Sequence, residues 1–399
     1  MTISQLDYSN PLCLVCGNDG NGVHFGVQTC RACAMFFRRS TTQKIPFYCK
    51  KHPKFCDIHV AEHRLMCKYC RLKKCQEVGM SREKKPLPSA RPQGIGCDHE
   101  FSRNRYGNRV VYDVIDPDTG VVSRLIDVAP IIKRSRLILE NHSLPEAVST
   151  MSPLERMTFA LNKIRSDQNL EPEIIKSSSF RDYFYFWEQN MRKCAEWLMY
   201  AEEFRMLPKH ERLEIFKLVW ALWRRVERKT MSAKFFGQRC LDEKILLLSN
   251  DKAGRVNDFS MDVSELWNSK HTTITNMFGE EINQYYQDLV KPYLKLNLSE
   301  IEVTFILCQL VWNYAGRRLQ GQTQAAGEIF LEKISNNLND YYRSIDRDII
   351  GNYAGRLTRM MSIVNNVLTL QLKQEKLMDM VFLFDMFNFK FSDPAFFSV

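Results

Sequence analysis

Cysteine is the residue whose type and spacing suggest chemistry in this chain. Nine of the 13 cysteines fall between positions 13 and 75. Eight of these form two consecutive sets of four, which are Cys13, Cys16, Cys30, Cys33 and then Cys49, Cys56, Cys67, Cys70. Each pair of thiolates can hold one side of a tetrahedral ion while the loop between the pairs closes around it. The pattern predicts two structural Zn²⁺ sites.

The same cysteines could also form disulfides or carry out thiol redox chemistry. The N-terminus has no basic patch followed by an apolar run, so we expect no secretory signal and favour a reducing compartment. Cys-x2-Cys recurs three times, but a thiol oxidoreductase would need an exposed cysteine of low pKa. Two four-cysteine sets within 58 residues favour metal over both alternatives.

The ninth cysteine of this segment, Cys75, lies about one helical turn beyond Cys70 and could compete as a ligand. His52, His59 and His63 could also substitute for a thiolate. Four thiolates already complete a site, however. We therefore expect Cys75 to be a small apolar residue on a helix and the histidines to be loop residues.

The positive charge of the chain lies in the same segment as the cysteines. The formal net charge is +10, and residues 11–85 contain 15 Lys and Arg against 5 Asp and Glu, which accounts for all of it. So much charge on a short segment exceeds what solubility requires and points to a polyanionic partner. We expect phosphate contacts with a steep dependence on salt.

Two basic helices are predicted to carry this charge. Residues 30–40 begin at the first metal site and suit a helix that enters a major groove, with Phe36 and Phe37 inward. Its outward positions are Arg31, Ala34, Arg38 and Arg39. Residues 67–79 form the second helix, which would pack through Leu72 and Val78. Its basic residues, expected in solvent, are Lys68, Arg71, Lys73 and Lys74.

Residues 11–82 resemble the DNA-binding domain of nuclear hormone receptors, in the form typical of the expanded nematode (supplementary) branch. The resemblance rests on CRACAMFFRR from Cys30 and on CKYCRLKKC from Cys67. It implies a nuclear, double-stranded-DNA-binding protein that forms dimers through the loop between Cys49 and Cys56. It also implies DNA contacts by Arg38 and Arg39 of the first helix and by residues elsewhere in the module, namely His24, Phe25, Arg64, Arg71 and Lys74.

The segment departs from the family pattern at residues that would read bases. Arg31 and Ala34 stand where most members carry Glu and Lys, and Phe25 replaces a tyrosine. Ala34 could offer only methyl contact to thymine, whereas Arg31 could read a guanine or bind a phosphate. The common receptor half-site is therefore not expected.

Residues 86–150 are predicted to be a hinge or linker that begins with PLPSARPQGIG. Within it, residues 110–114 and 121–126 are β-rich runs on either side of a turn, which suggests a hairpin. Ser152, Pro153 and Glu155 form a capping-box pattern that would open the first helix of the second domain. Residues 151–399 then have helical periodicity, most clearly at 180–204, 210–236, 298–318 and 355–387.

The helical half resembles the ligand-binding domain of the same family. The resemblance is carried by Phe204, Leu207 and Pro208, followed by a helix with Trp220 and Trp223. It implies three layers of helices, a pocket for a small lipophilic ligand, a dimer interface on the long helix at 355–387 and a groove for coregulator proteins.

The residues expected to form the coregulator groove do not follow the family pattern. Met199 stands at the position of the groove lysine, and a last helix at 394–399 would lack an acidic residue. Using residues 382–387 as the activation helix would restore an acid at Asp385. The sequence leaves coregulator binding open.

The leading hypothesis is a zinc-dependent, sequence-specific transcription factor with a homo- or heterodimer partner. The expected fold is a small zinc-stabilised two-helix DNA-binding module followed by a mostly α-helical, three-layer ligand-binding-type domain. We find no catalytic motif and no apolar run long enough to span a membrane, so neither an enzyme nor a membrane protein is expected. The alternative is a zinc-dependent protein-interaction adaptor, whose metal pairs are commonly interleaved.

Overall fold

The computed structural model describes residues 12–18, 23–42, 47–49, 56, 67–81, 110–115, 122–262, 272–345, 352–383 and 389–393. These residues fall into two compact units, a zinc-type unit and a helical unit. Several predictions lie outside the described residues. They concern Arg64, the three loop histidines, the turn of the hairpin, Asp385 and a last helix at 394–399.

The zinc-type unit combines a small hairpin with two helices. Strands β1 (Val23–His24) and β2 (Val27–Gln28) pair antiparallel, and the turn between them has positive φ at Phe25 and Gly26 (56° and 86°). Helix α1 spans Arg31–Thr42 and helix α2 spans Lys68–Glu77. Gly79, at φ 91°, turns the chain beyond α2 in a backbone conformation that favours glycine. Both predicted helices are confirmed.

The helical unit contains a run of helices and several short strands. The helices are α3 (Ala129–Asn141), α4 (Pro153–Arg165), α5 (Phe180–Leu198), α6 (Glu202–Met206), α7 (Lys209–Phe236), α8 (Gln238–Asp242), α9 (Thr272–Tyr285), α10 (Lys291–Leu296), α11 (Glu300–Gly316), α12 (Gln322–Ser344) and α13 (Tyr353–Leu383). The strands are β3 (Val111–Ile115), β4 (Val122–Ile126), β5 (Glu173–Ile174), β6 (Ser177–Ser179), β7 (Ile245–Leu247), β8 (Lys252–Arg255), β9 (Ser260–Asp262) and β10 (Phe389–Phe391).

Local sequence signals explain where key helices begin. Ser152 accepts a hydrogen bond from the backbone of Glu155, whose side chain returns to the Ser152 backbone, so the predicted capping box is confirmed. Ser299 and Glu302 form a second capping box at the start of α11. Each box satisfies backbone donors that the first turn of a helix leaves unpaired.

Helix α11 lies in the middle of the helical unit and packs against α4, α7 and α12. It is buried on nearly every face, which is expected of a helix in a central layer. The side chains of Trp197, Trp220 and Trp223 are also fully buried and fill the space beside α5 and α7. The predicted fold class, a two-helix zinc module with a layered helical domain, is confirmed.

The segment assigned to the hinge requires correction. The hairpin is confirmed, since β3 pairs antiparallel with β4, but the described residues 110–115 and 122–150 cluster with the helical unit. Helix α3, which precedes the predicted first helix, packs against α5 and α7. Arg134 Nε on α3 lies 2.6 Å from a carboxylate oxygen of the buried Glu188. An apolar face on α3 explains this docking, through Ile131, Ile132 and Leu139.

Other predicted elements also differ in detail. The helix expected at 180–204 is divided into α5 and α6, because the chain is extended at Ala201. Strand β10 pairs parallel with β4 and extends the hairpin to a three-stranded sheet. The long helix α13 runs to Leu383, so Phe382 belongs to it rather than to a separate activation helix.

Candidate zinc centres and nucleic-acid interface

The first cysteine set forms a buried cluster. The Sγ atoms of Cys13, Cys16, Cys30 and Cys33 lie within 4.8 Å of one another, and those of Cys16 and Cys30 are 3.6 Å apart. Sulfur atoms bound to one tetrahedral Zn²⁺ at about 2.3 Å would be separated by about 3.8 Å, whereas a disulfide requires about 2.05 Å. The spacing fits a shared ion and excludes disulfides in this arrangement.

The second set has the same geometry but is more exposed. Cys49 Sγ lies 3.7 Å from the Sγ atoms of both Cys56 and Cys70, and Cys67 completes the group at the N-terminus of α2. Only Cys70 is fully buried. The two sets follow one another along the chain and do not interleave. Two Zn²⁺ ions therefore account for all eight predicted ligands.

Cys75 belongs to neither metal group. Its side chain has no exposed surface and packs in the core of the zinc-type unit with Phe36 and Phe37. Burial raises the pKa of the Cys75 thiol to about 12, so this thiol stays protonated at neutral pH. The structure agrees with the prediction that Cys75 is an apolar residue and not a ligand.

Arg71 is half-buried rather than solvated, and its predicted contact with the DNA backbone stays a prediction. Its Nη2 donates to Cys33 Sγ at 3.2 Å, and its guanidinium lies 4.8 Å from the centre of the Phe36 ring. Helix α2 thus begins at the second cysteine set and extends a cation to a sulfur of the first set. Leu72 and Val78 pack against the same core as predicted. Arg71 therefore links helix α2, which begins at the second cysteine set, to a cysteine of the first set.

Helix α1 presents an arginine face to solvent. Arg31 and Arg39 are exposed and Arg38 is half-buried, which agrees with the prediction for these three. Ala34 was predicted on this face but has 0% exposure, so a methyl contact to thymine is not supported. Ala34 follows Cys30 by four residues and precedes Phe37 by three, which places it on the buried side of the helix. Met35, half-buried beside the arginines, was missed.

His24 ends strand β1, and Phe25 begins the turn of the small hairpin. His24 is only 4% exposed, which leaves little of the ring for the predicted phosphate contact. The Phe25 ring meets Phe37 edge to face at 5.1 Å, and its carbonyl accepts a hydrogen bond from the backbone of Ser81. Phe25 therefore anchors the turn to α1 and to the chain beyond α2.

The basic residues of α2 differ in exposure. Lys68 and Lys73 are exposed, and Lys73 forms a 3.7 Å ion pair with Glu77 one turn later. Lys74 is half-buried. These side chains remain candidates for backbone contacts to nucleic acid. Their contribution would be electrostatic rather than sequence-dependent.

In the helical unit, the residue at the position expected for the groove lysine is buried. Met199 is 3% exposed at the end of α5. Nearby, Arg212 Nη1 donates to the carbonyl of Leu139 on α3 at 2.5 Å. In the described part of the chain, none of the helices is long and apolar enough to cross a membrane.

Comparison with known proteins gives matches over both units. Residues 11–82 match the C4-type double treble clef zinc finger, and residues 168–384 match the ligand-binding domain of nuclear hormone receptor. Nuclear hormone receptor family member nhr-54 of Caenorhabditis elegans is 46% identical over 100% of this chain and 99% of that protein. Family member nhr-213 of the same nematode is 33% identical over 94% of this chain and 91% of that protein.

Proposed function

The chain belongs to the nuclear hormone receptor family, whose members are zinc-dependent transcription factors rather than enzymes, and from this we propose that it binds specific DNA sequences in the nucleus. The observation that supports the proposal most directly is the arginine face of α1. This face is attached to the first cysteine set, because Cys30 and Cys33 lie at the start of the helix.

The rigidity of this face matters for reading bases. Bidentate contacts to a guanine edge require a guanidinium whose helix is fixed in position and orientation. Two zinc ions and the packing of Phe36 and Phe37 would provide that rigidity in a segment too short to form a large core. Arg38 and Arg39 are proposed to bind DNA, and Arg31 is proposed to contribute either a base contact or a phosphate contact.

We assign the parts of the chain as follows. Residues 11–85 form the DNA-binding module, and the hinge is shorter than the sequence indicated, ending before residue 110. The helical domain then begins with the hairpin and α3. We further propose that the protein acts as a homo- or heterodimer and that the helical domain binds a small lipophilic ligand.

Selection of random DNA duplexes by the full-length zinc-loaded protein tests this function. We expect an enriched half-site that differs from the common receptor half-site. Arg38→Ala should weaken binding at least tenfold on all sites. Arg31→Ala should change the preferred bases if Arg31 reads an edge, and should weaken binding uniformly if it contacts phosphate. Arg239→Ala, which removes the same charge from an exposed position of the helical unit, should change neither property.

The adaptor hypothesis predicts a different result. A protein that retains two zinc ions and its fold but enriches no motif would contradict sequence-specific binding. The consecutive arrangement of the cysteine sets already disfavours this hypothesis, since its metal pairs would commonly interleave.

A further inference from the structure

One side of helix α4 carries two cations with an aromatic residue between them. Arg156 and Lys163 are about two turns apart, and Phe159 lies between them on the same side. This side meets Tyr200, a buried residue just beyond α5. The centres of the Phe159 and Tyr200 rings are 6.2 Å apart, and Lys163 Nζ donates to the Tyr200 hydroxyl at 3.3 Å. The two cations therefore lie beside a pair of aromatic rings.

Two further basic side chains reach the same place. His142 directly follows α3, and its ring meets Tyr200 edge to face at 5.3 Å. Burial, followed by the positive charges of Lys163 and Arg205, lowers the pKa of His142. On α6, burial and then the charge of Arg156 lower the pKa of Arg205. Because charges act on one another in this way only at short range, these residues form one group, which we call the Tyr200 basic cluster.

The acids near the Tyr200 basic cluster do not neutralise it. Arg156 Nη2 lies 3.7 Å from a carboxylate oxygen of Glu202, whose side chain is 50% exposed. Glu203 is also near Arg205, but its Oε1 lies 2.7 Å from Lys333 Nζ on α12 and its Oε2 has no hydrogen-bond partner. The two arginines and the lysine of the cluster, together with Lys333, exceed these two carboxylates by two positive charges.

Several polar atoms of the cluster also lack partners. The Nε of Arg156, the Nε of Arg205 and the Nδ1 of His142 are buried and form no hydrogen bond within the described part of the chain. Arg156 is only 8% exposed, so its Nε has lost contact with water as well. Buried donors without partners destabilise a fold, and native proteins keep few of them. Three such atoms in one group indicate a partner that comes from outside this domain.

We propose that Arg156, Lys163 and Arg205 bind a dianionic phosphate group. A phosphate monoester carries about 1.5 to 2 negative charges at pH 7, which matches the excess of two positive charges in the cluster. A carboxylate or a sulfate ester carries only about one. Arginine suits phosphate, because its planar guanidinium donates two parallel hydrogen bonds to two oxygens. This site is separate from the α1 surface and does not rest on the proposed function.

A bound phosphate would join parts of the helical unit that are distant in the chain. Its donors would come from α4, from α6 and from the residue that follows α3. The half-buried ring of Phe159 offers a surface for the organic part of a phosphate ester. Because such a ligand would bind the folded state and not the unfolded one, it should stabilise the helical unit.

Urea unfolding of the full-length, zinc-loaded protein, followed by tryptophan fluorescence, tests the proposal. All six tryptophans lie between residues 187 and 312, so the signal does not report phosphate bound to the basic zinc-type unit. The probes are phenyl phosphate, inorganic phosphate and phenyl sulfate, which has the same ring but only one negative charge. From the rise of the unfolding midpoint with probe concentration, we expect phenyl phosphate to bind roughly tenfold more tightly than phenyl sulfate.

Two variants and a matched control assign this effect to the cluster. Arg205→Gln and Lys163→Gln should each weaken phenyl phosphate binding roughly tenfold, since each removes a charged donor. Arg239→Gln removes an exposed arginine from α8 and should leave the affinity unchanged. Without phosphate, Arg205→Gln should unfold at the same urea concentration as the wild type or a higher one, because the cluster has excess positive charge. A purely structural role of Arg205 would lower that midpoint.

The comparison of probes also identifies the source of the phosphate. Tighter binding of phenyl phosphate than of inorganic phosphate would support an ester whose organic part packs on Phe159, and equal binding would support the free ion. Equal affinity for phenyl phosphate and phenyl sulfate would overturn the proposal. So would a phosphate effect that persists in both Arg205→Gln and Lys163→Gln. DNA selection with the same preparation tests the DNA-binding function independently of all these results.

Discussion

Glu227 should be the most costly single charge to remove from the helical unit. The residue has 0% exposure, and it joins α7 to α4 through Arg165 while also neutralising Arg228. Arg165 is held further by Glu300 at 2.8 Å and by the Thr230 hydroxyl at 2.9 Å. Glu227→Gln preserves the shape of the side chain but leaves two buried arginines with a single remaining carboxylate.

The magnitude follows from the electrostatics of the site. Burial alone would raise the pKa of Glu227, but Arg228 and Arg165 lower it from 4.5 to about 2. At about 1.4 kcal/mol per pKa unit, this lowering corresponds to about 3 kcal/mol of stability at neutral pH. That contribution is present above pH 4.5 and is lost as the pH falls from 4.5 towards 2. Breaking one side of a buried ion pair typically costs about 3–5 kcal/mol, which agrees.

The positions of the six tryptophans make tryptophan fluorescence a specific probe for unfolding of the helical unit. All of them lie between residues 187 and 312, so tryptophan fluorescence in urea reports the helical unit even in the full-length protein. We expect Glu227→Gln to lower the free energy of unfolding by about 3 kcal/mol. Glu243→Gln is the matched control, since Glu243 pairs with Arg239 and Arg255 at the surface and its loss should have little effect.

A second variant tests the physical reason for the loss. Replacing the three charges together, as Arg165→Met with Glu227→Leu and Arg228→Leu, leaves no uncompensated charge in the network. This triple variant should be more stable than Glu227→Gln alone. The reasoning would be refuted if Glu227→Gln lowered the free energy of unfolding by less than about 1 kcal/mol. It would also be refuted if the triple variant were less stable than Glu227→Gln.

Three further predictions concern zinc, pH and salt. By elemental analysis, Cys67→Ser should lower the zinc content from two ions to one per chain, whereas Cys75→Ser should retain two. Equal loss of zinc in both variants would contradict the assignment of Cys67 as a ligand and Cys75 as a non-ligand. Between about pH 7 and pH 10 the folded state has released the Lys229 proton while the unfolded state still binds it, so unfolding free energy should rise with pH by up to about 1.4 kcal/mol per unit. Lys229→Met should remove this rise of unfolding free energy with pH. If urea titrations of the wild type and the variant gave parallel curves of unfolding free energy against pH, the prediction would be wrong. Arg39→Ala should reduce the slope of log affinity against log salt by about 1, and an unchanged slope would show that Arg39 contacts no phosphate.

The features that sequence predicted well depend on short-range chemistry. Tetrahedral coordination requires thiolates in pairs, so the spacing of Cys13 with Cys16 and of Cys67 with Cys70 already indicates the sites. The capping box at Ser152 and Glu155 is likewise complete within four residues. The inward side of α1 follows from apolar spacing around Phe36 and Phe37. In each case the interacting groups are close in the chain.

The errors concern partners that are distant in the chain. Strand β10 pairs with β4, and Ser392 accepts a hydrogen bond from the backbone of Val128, 264 residues away. Lys217 on α7 forms a 2.8 Å ion pair with Asp393, next to that strand. Nothing in the periodicity of residues 110–141 specifies these partners. The sequence pattern therefore favours a linker, although the described residues of this segment, 110–115 and 122–141, cluster with the helical unit.

The run of cations on α7, which comprises Arg224, Arg225, Arg228 and Lys229, shows most clearly where a local pattern misleads. Its residues are visible in the sequence as WRRVERK from Trp223, and a run of charges on a helix is usually a solvated face. Here Arg228 and Lys229 are buried, because the helix lies in the interior next to α11 and has little solvent-exposed side. Glu227 neutralises part of the charge, although it also pairs with Arg165, and among the described residues no carboxylate pairs with Lys229. Their burial depends on the packing of α7 against other helices, and only the tertiary structure reveals it.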